Sequence, residues 1–442
     1  MATSYPIKHG GDFFWIFTQI CSTHLPIIST ARLTPQVEWS PMPISATTEL
    51  LGEHPELLDI AIADIEDGQI TSWVRGGDGL IGFGVYKSHT VNGADRFEQA
   101  RRWWRAEINS LNIANNSHGL GSGPILFTSF SFDEAEDSIL IIPRVVVGQS
   151  NGKSWITWIG DGLQPKLERG KEQVRPLNIS WSGSNGDIWR ERVALAIGKI
   201  KDAKLDKVVL ARFLTGKSEE RIDVRRLLRL LAKEYPSTWV YSNSGLVGAT
   251  PELLVRLSKS LITSRVLAGT IRKTGEDERD LALAGSLARS SKDLEEHEYA
   301  VQSVADALTP LCRSLNVPET PFVLHLSNVM HLATDVTAVL SDSANPADIF
   351  DLASKLHPSA AVCGTPRDLA KRAIDEIEGI SRGRYAGPVG WIDSKGDGEL
   401  ALALRCGQIT SDGKSIRIYA GCGIVAGSDP EREYAESQAK LC

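Results

Sequence analysis

The chain has 442 residues, of which 42% are hydrophobic and 23% charged, and its formal net charge is −7. This is an ordinary globular balance with room for one large domain or two to three smaller ones, and no block of like charge suggests nucleic acid or a membrane surface as a partner. The six cysteines, at 21, 312, 363, 406, 422 and 442, form no CxxC pair, which argues against a disulfide framework or a zinc site and makes a reducing cytoplasm the expected location.

In chain order, residues 1–41 read as an irregular extension. Their apolar run 13–20 (Phe-Phe-Trp-Ile-Phe-Thr-Gln-Ile) is too short to span a membrane. Residues 42–185 read as the N-terminal part of one domain and 186–442 as its catalytic core, with the Asn/Ser/Gly-rich stretch 178–186 as the seam. Segment 70–86 alternates short β-like runs with glycine turns and predicts hairpins. A helix is predicted over 97–111, then strands over 124–130, 138–147 and 155–160. The core opens with a helix over 187–201 and the strongly β run Lys207-Val-Val-Leu-Ala-Arg-Phe213. A helix over 221–234 and strands over 238–242, 253–257 and 261–266 follow. Helices return over 276–290, 291–313, 346–356 and 367–379. The end is β over 387–393, 400–409 and 415–420, with a last helix over 430–440. This mixture lacks strict βαβ alternation, so the expected class is α+β with large antiparallel sheets. The glycines of Gly421-Cys-Gly-Ile-Val-Ala-Gly427 are spaced GxGxxxG, which does not fit a nicotinamide-cofactor loop.

Candidate chemistry concentrates in the core. On a wheel of 100° per residue, the helix starting at Ser291 puts Leu294, Val301, Val304, Leu308 and Leu311 on one apolar side. Asp293 and Glu296 fall on its flank, one turn apart. Carboxylates at the edge of a buried face are costly as bare charges, and a hard cation, Mg2+ above all, offsets that cost. A second acidic pair, Glu433 and Glu436, stands near the C-terminus. Lys207 shares a strand face with Val209 and Ala211; it is either an edge lysine in water or, if desolvated, a base active near neutrality. Glu252 follows Pro251 in Gly248-Ala-Thr-Pro-Glu252, where it either caps a turn or serves as a rigidly mounted general acid. Gly269 and Thr270 offer a close backbone approach and a hydroxyl. His297 reads as a packed core histidine, and His331 and His357 also allow a structural role. Arg405, placed in an apolar strand, needs an anion. Tyr385 and Lys440 add a hydroxyl and a cation. The set fits a Mg2+-dependent enzyme acting on a small polycarboxylate.

Seven motifs of the core resemble the chorismate-utilising enzymes, in that family's order. They are Lys207-Val-Val-Leu-Ala-Arg212, Gly248-Ala-Thr-Pro-Glu252, Leu267-Ala-Gly-Thr270, Ser291-Lys-Asp-Leu-Glu-Glu-His297, Leu356-His-Pro-Ser-Ala-Ala-Val-Cys-Gly-Thr-Pro366, Tyr385-Ala-Gly-Pro-Val-Gly-Trp391 and Ala420-Gly-Cys-Gly-Ile-Val-Ala-Gly-Ser-Asp-Pro-Glu431. The resemblance covers about 187–440 and implies one α+β domain with two large antiparallel sheets flanked by helices and a cleft between them. It is strongest to the branch that turns chorismate into isochorismate. It implies Lys207 as the base activating water for C2 and Glu252 as the acid protonating the departing C4 hydroxyl. Glu296 and Glu436 become the Mg2+ ligands, with Asp293 and Glu433 in support. Arg405, Lys440, Tyr385 and the amides around Gly421 and Gly423 clamp the carboxylates, while Gly269, Thr270 and His331 line the pocket. The expected assembly is a monomer. Ser359-Ala360 and Ala439 depart from the family's common Thr-Pro and Asn. The alternatives are a salicylate-forming enzyme that also eliminates pyruvate, or an inactive chorismate-binding homologue. Ala268 stands where aminodeoxychorismate-forming relatives tend to carry lysine.

Overall fold

Antiparallel pairing dominates the architecture. The computed structural model describes residues 43–442 apart from 63–64, 66–69, 118, 171–177, 184, 203–204, 343–345 and 442, so the expected extension 1–41 lies outside the described residues. Pro43–Cys442 forms one compact unit. Among the described residues there are 23 strands, and all but two join one hydrogen-bonded network that closes on itself. The sheets expected from the sequence are thus linked edge to edge. The one parallel pairing among the described residues is Ile44–Leu51 with Leu111–Asn115.

Among the described residues eight α-helices flank this network: α1 Arg96–Asn109, α2 Gly186–Asp202, α3 Val224–Glu234, α4 Asp277–Leu287, α5 Ser291–Leu308, α6 Ile349–Leu356, α7 Arg367–Ile377 and α8 Pro430–Leu441. The larger core gathers Trp104, Trp189, Val304, Phe350 and Ile374 from five of them against strand residues such as Phe127, Leu210 and Ile424. A second core packs Leu228 of α3 against Val74, Phe83, Val240, Val247 and Ile416. Burying side chains such as these contributes roughly 1.5–3 kcal/mol each.

The hairpin expected near 70–86 forms between Ile70–Arg75 and Asp78–Val91. Gly76 and Gly77 make its two-residue turn with φ of 58° and 89°, the left-handed pair such a turn requires. The stretch expected as a seam holds a short strand, Ser180–Gly183, paired to Lys207–Lys217. Three sequence expectations change. The helix expected to run to residue 313 ends at Leu308, and after a 3-10 turn holding Pro310 the chain becomes the strand Cys312–Asn316; a proline cannot continue the helical ladder. The expected strand 400–409 is two strands, Gly398–Leu402 and Cys406–Ile409, and Arg405 lies in the break with φ of 48°. Val329–Leu340, which pairs with Leu261–Arg272, was not anticipated as a strand; its Met, His and Ala residues are weak β formers and it alternates only in its second half.

Candidate active site

Four strands and two helices build the site. Lys207–Lys217 pairs with Ser415–Val425 so that Lys207 faces Val425, Val209 faces Gly423 and Ala211 faces Gly421. Period-two alternation therefore sets Lys207, Val209, Gly421 and Gly423 on one face. Across from them, Leu261–Arg272 carries a bulge: Ala268 pairs with Leu332 and Thr270 with His331, leaving Gly269 unpaired at φ of 73°. Such a bulge re-aims the strand, and Thr270 Oγ1 comes to 3.1 Å from His331 Nδ1.

A cleft of about 700 Å3 opens between these walls. Glu252, Gly269, Thr270, Glu296, His331, Tyr385, Arg405, Gly421, Gly423 and Lys440 all line it, ten residues that the sequence singled out. Ala268 lines it too, so no lysine side chain occupies that position. Lys207, Asp293, Glu433 and Glu436 do not reach its surface. Among lining residues not anticipated are Tyr419, which stacks on Tyr385 at 4.8 Å between ring centroids, and Arg382. Arg382 is buried, donates to the carbonyls of Val209 and Val362 at 2.7 and 2.8 Å, and is paired with Glu378. Glu378 in turn accepts from the Ala211 amide at 2.7 Å. The (i, i+4) spacing of Glu378 and Arg382 was the available signal, and it was silent about the strand the pair holds.

Lys207 is 0% exposed. Its Nζ lies 3.4 Å from Glu296 Oε1 and donates to the Glu296 carbonyl at 3.3 Å. It sits behind Gly423: a Cβ there would stand 3.0 Å from Lys207 Cε and 2.0 Å from Glu296 Oε1. Burial lowers the ammonium from its ordinary value, and Glu296 and Glu252 oppose that shift. Glu252 is buried in the turn after Leu246–Thr250, where its amide donates to Thr250 Oγ1 at 3.3 Å. Burial raises its carboxyl from 4.5 to about 8, against the opposing charge of Lys207.

Arg405 Nη2 donates to His331 Nε2 at 2.9 Å. A guanidinium cannot accept, so His331 is neutral and its Nδ1 carries the proton towards Gly269 O or Thr270. Burial first, then Arg405 and Lys440, hold the imidazole well below its ordinary value. Among the described residues Arg405 is paired with no carboxylate, which leaves its charge for an anion in the cleft. Lys440 Nζ donates to Gly421 O at 2.9 Å and to Glu436 Oε1 at 2.7 Å.

Helix α5 starts at Ser290, whose Oγ accepts from the Asp293 amide. Its buried stripe runs through Glu296, His297, Ala300, Val304 and Leu308, so Glu296 lies inside the buried face and not on its flank as the wheel placed it. Strands Leu261–Arg272 and Val329–Leu340 pack against α5 and help to bury it. His297 is the packed histidine expected, with Nε2 2.8 Å from Thr334 Oγ1. Helix α8 turns Glu433 and Ser437 inward, with Glu436 and Lys440 on the same side by helical spacing. Asp293, expected beside Glu296, is half-buried against Gly269, whose absent Cβ would stand 2.9 Å from that of Asp293.

Two carboxylates of α8 make a candidate cation site with a strand thiol. Glu433, Glu436 and the Cys422 thiol, which the sequence reading passed over, offer ligand atoms within 4.8 Å of one another. Burial and then Glu436 push the Glu433 carboxyl up to about 7. Burial would raise Glu436, but Lys440 and Lys292 hold it below its usual value. Glu433 Oε2 is buried without a hydrogen-bond partner. Crowded carboxylate oxygens are the donors that a hard divalent ion takes.

Fold and cleft together define an α+β enzyme-type site with a buried lysine, a protonated glutamate and an acidic cluster. The family profile described as "Chorismate binding enzyme" matches residues 162–442. Isochorismate synthase DhbC of Bacillus subtilis is 35% identical over 72% of this chain and 79% of its own length. Isochorismate synthase MenF of the same organism is 31% identical over 82% of this chain and 83% of its own. The crystal structure of MenF, the menaquinone-specific isochorismate synthase of Escherichia coli, aligns with a TM-score of 0.74 at 24% identity, over 90% of this chain and 93% of that one. The chain belongs to the chorismate-binding enzyme family.

Proposed function

We propose that the chain is an isochorismate synthase, adding water at C2 of chorismate while the C4 hydroxyl leaves. The observation that carries this reading is the pairing of a buried, lowered lysine with a buried, protonated glutamate around one cleft. The named relatives, which are isochorismate synthases, support it.

The chemistry needs two proton transfers. In this reading Lys207, as the neutral amine, takes a proton from the attacking water, reaching the cleft past Gly423. Glu252 gives its proton to the C4 oxygen as that group departs as water. Burial prepares each for its task, making the amine easier to deprotonate and the carboxyl harder to ionise. Arg405, Lys440 and the Tyr385 hydroxyl clamp one carboxylate of the substrate, and His331 orients Arg405 through its bare Nε2. Glu296, Glu433 and Glu436, with Asp293 in support, would hold Mg2+, whose charge neutralises the second carboxylate and the acidic walls.

The test incubates chorismate and Mg2+ with the wild type and with Lys207→Ala, then separates the products. Isochorismate from the wild type, lost on adding EDTA and regained with Mg2+, is the expected result. Lys207→Ala should be slower on the order of 10²–10⁴-fold. Salicylate with pyruvate as the main product would shift the chain to the salicylate-forming branch. No conversion at all would support a binding protein, and activity indifferent to chelation would remove the metal.

A further inference from the structure

Three lysines stand against the three glutamates of the cluster. Lys207 faces Glu296 at 3.4 Å, Lys292 faces Glu433 at 2.9 Å and Lys440 faces Glu436 at 2.7 Å. Two of these lysines have second partners, Lys207 at the Glu296 carbonyl and Lys440 at the Gly421 carbonyl. Among the described residues Lys292 bonds to Glu433 alone.

The two sides of that pair differ in freedom. Lys292 reaches in from the first turn of α5 with 28% of its side chain exposed, whereas the Glu433 side chain, from the first turn of α8, is 1% exposed. Moving Glu433 would uncover the α8 packing; moving Lys292 returns a flexible ammonium to water. The ion pair at 2.9 Å holds the Lys292 ammonium at the Glu433 carboxylate. One positive charge therefore already sits where a divalent ion would find its oxygen donors. Both would draw on the Glu433 carboxylate, and like charges so close repel strongly in a partly buried site.

We propose that Lys292 is a built-in stand-in for the cation, which holds Glu433 when no metal is bound and swings into solvent when a divalent ion enters. It thereby sets the affinity of the site for that ion. The tethered ammonium competes at a high effective concentration that dilution does not change. With the metal absent, it keeps α5 and α8 from being driven apart by their carboxylates. The proposal rests on the reading of Glu296, Glu433 and Glu436 as a cation site, and it adds a residue that opposes binding.

The test titrates the full chain with Mg2+ by calorimetry and follows the melting temperature, for the wild type, Lys292→Gln, Lys292→Arg and Glu436→Gln. Lys292→Gln should bind Mg2+ about tenfold tighter, from the loss of one competing ion pair. It should also melt lower than the wild type without Mg2+ and recover with it. Lys292→Arg, whose fork grips both oxygens of a carboxylate, should bind Mg2+ more weakly than the wild type, and it decides the matter if Lys292→Gln does not fold. Wild-type binding that Glu436→Gln abolishes, with Lys292→Gln no tighter than wild type, overturns the role of Lys292 and leaves the metal site standing. So does Lys292→Arg binding as tightly as the wild type or tighter. No Mg2+ binding by the wild type overturns both.

Discussion

Lys207 and Glu252 are both buried, and burial moves them in opposite directions. A reaction that needs the neutral amine and the protonated carboxyl rises with pH through the lowered Lys207 value and falls above about 8 as Glu252 ionises. The two groups interact, so the limbs of the profile belong to the pair. Glu252→Gln should cut turnover by roughly 10²–10⁴-fold and delete the alkaline limb of a kcat–pH profile. The same shift governs stability. Between 4.5 and about 8 the folded chain keeps a proton that the unfolded chain has released, so stability falls as pH rises through that window. Glu252→Gln should therefore raise the melting temperature at pH 8, by a gain on the order of 3 kcal/mol, and change it little at pH 4. An equal or lower melting temperature at pH 8 would count against a neutral Glu252. At this scale the sequence showed the residue types and their spacing. It left Lys207 open between an edge lysine and a buried base, because burial depends on what covers the strand.

Helices and strands meet in the site through absent side chains. Gly423 leaves room for Glu296 to lie across the strand in front of Lys207. Gly423→Ala puts a Cβ 2.0 Å from Glu296 Oε1 and 3.0 Å from Lys207 Cε. Its φ lies outside the left-handed region and Gly423 pairs regularly with Val209, so the strand itself tolerates alanine. The variant should fold with a lowered melting temperature, because displacing Glu296 breaks its buried pair with Lys207, and lose most of its turnover. Loss of turnover no greater than twofold would show that Glu296 does not need that position. Helix positions were legible from periodicity, but the face was not. The wheel of α5 placed His297 inward, as found, but set Glu296 at the margin, and Glu296 is buried too. Helix α8 shows the same limit more sharply, since its inward residues Glu433 and Ser437 are polar and hydrophobic patterning cannot find such a face.

The whole molecule brings residues 207 to 440 around one cleft, and the chain that does so is held by buried polar links as well as by its core. Arg382 and Glu378 are an example, tying α7 to the Lys207–Lys217 strand through Val209 O and the Ala211 amide. Arg382 also lies over the Phe132 ring at 4.2 Å. Removing one member leaves the other charged and unpaired in the interior. Arg382→Ala should destabilise the protein by about 3–5 kcal/mol, read as a drop in urea midpoint with the slope unchanged. A drop below 1 kcal/mol would mean that water reaches Glu378.

By itself the sequence determined the α+β class, the order of most elements and ten of the residues that line the cleft, because side-chain period and motif spacing are local properties of the chain. Only the tertiary structure decided which carboxylate keeps its proton, that Arg405 sits in a break between strands beside a neutral His331, and that Lys292 lies against Glu433. Those facts come from distances between segments 74 to 141 residues apart and from the desolvation of groups that packing covers. No local pattern encodes either one.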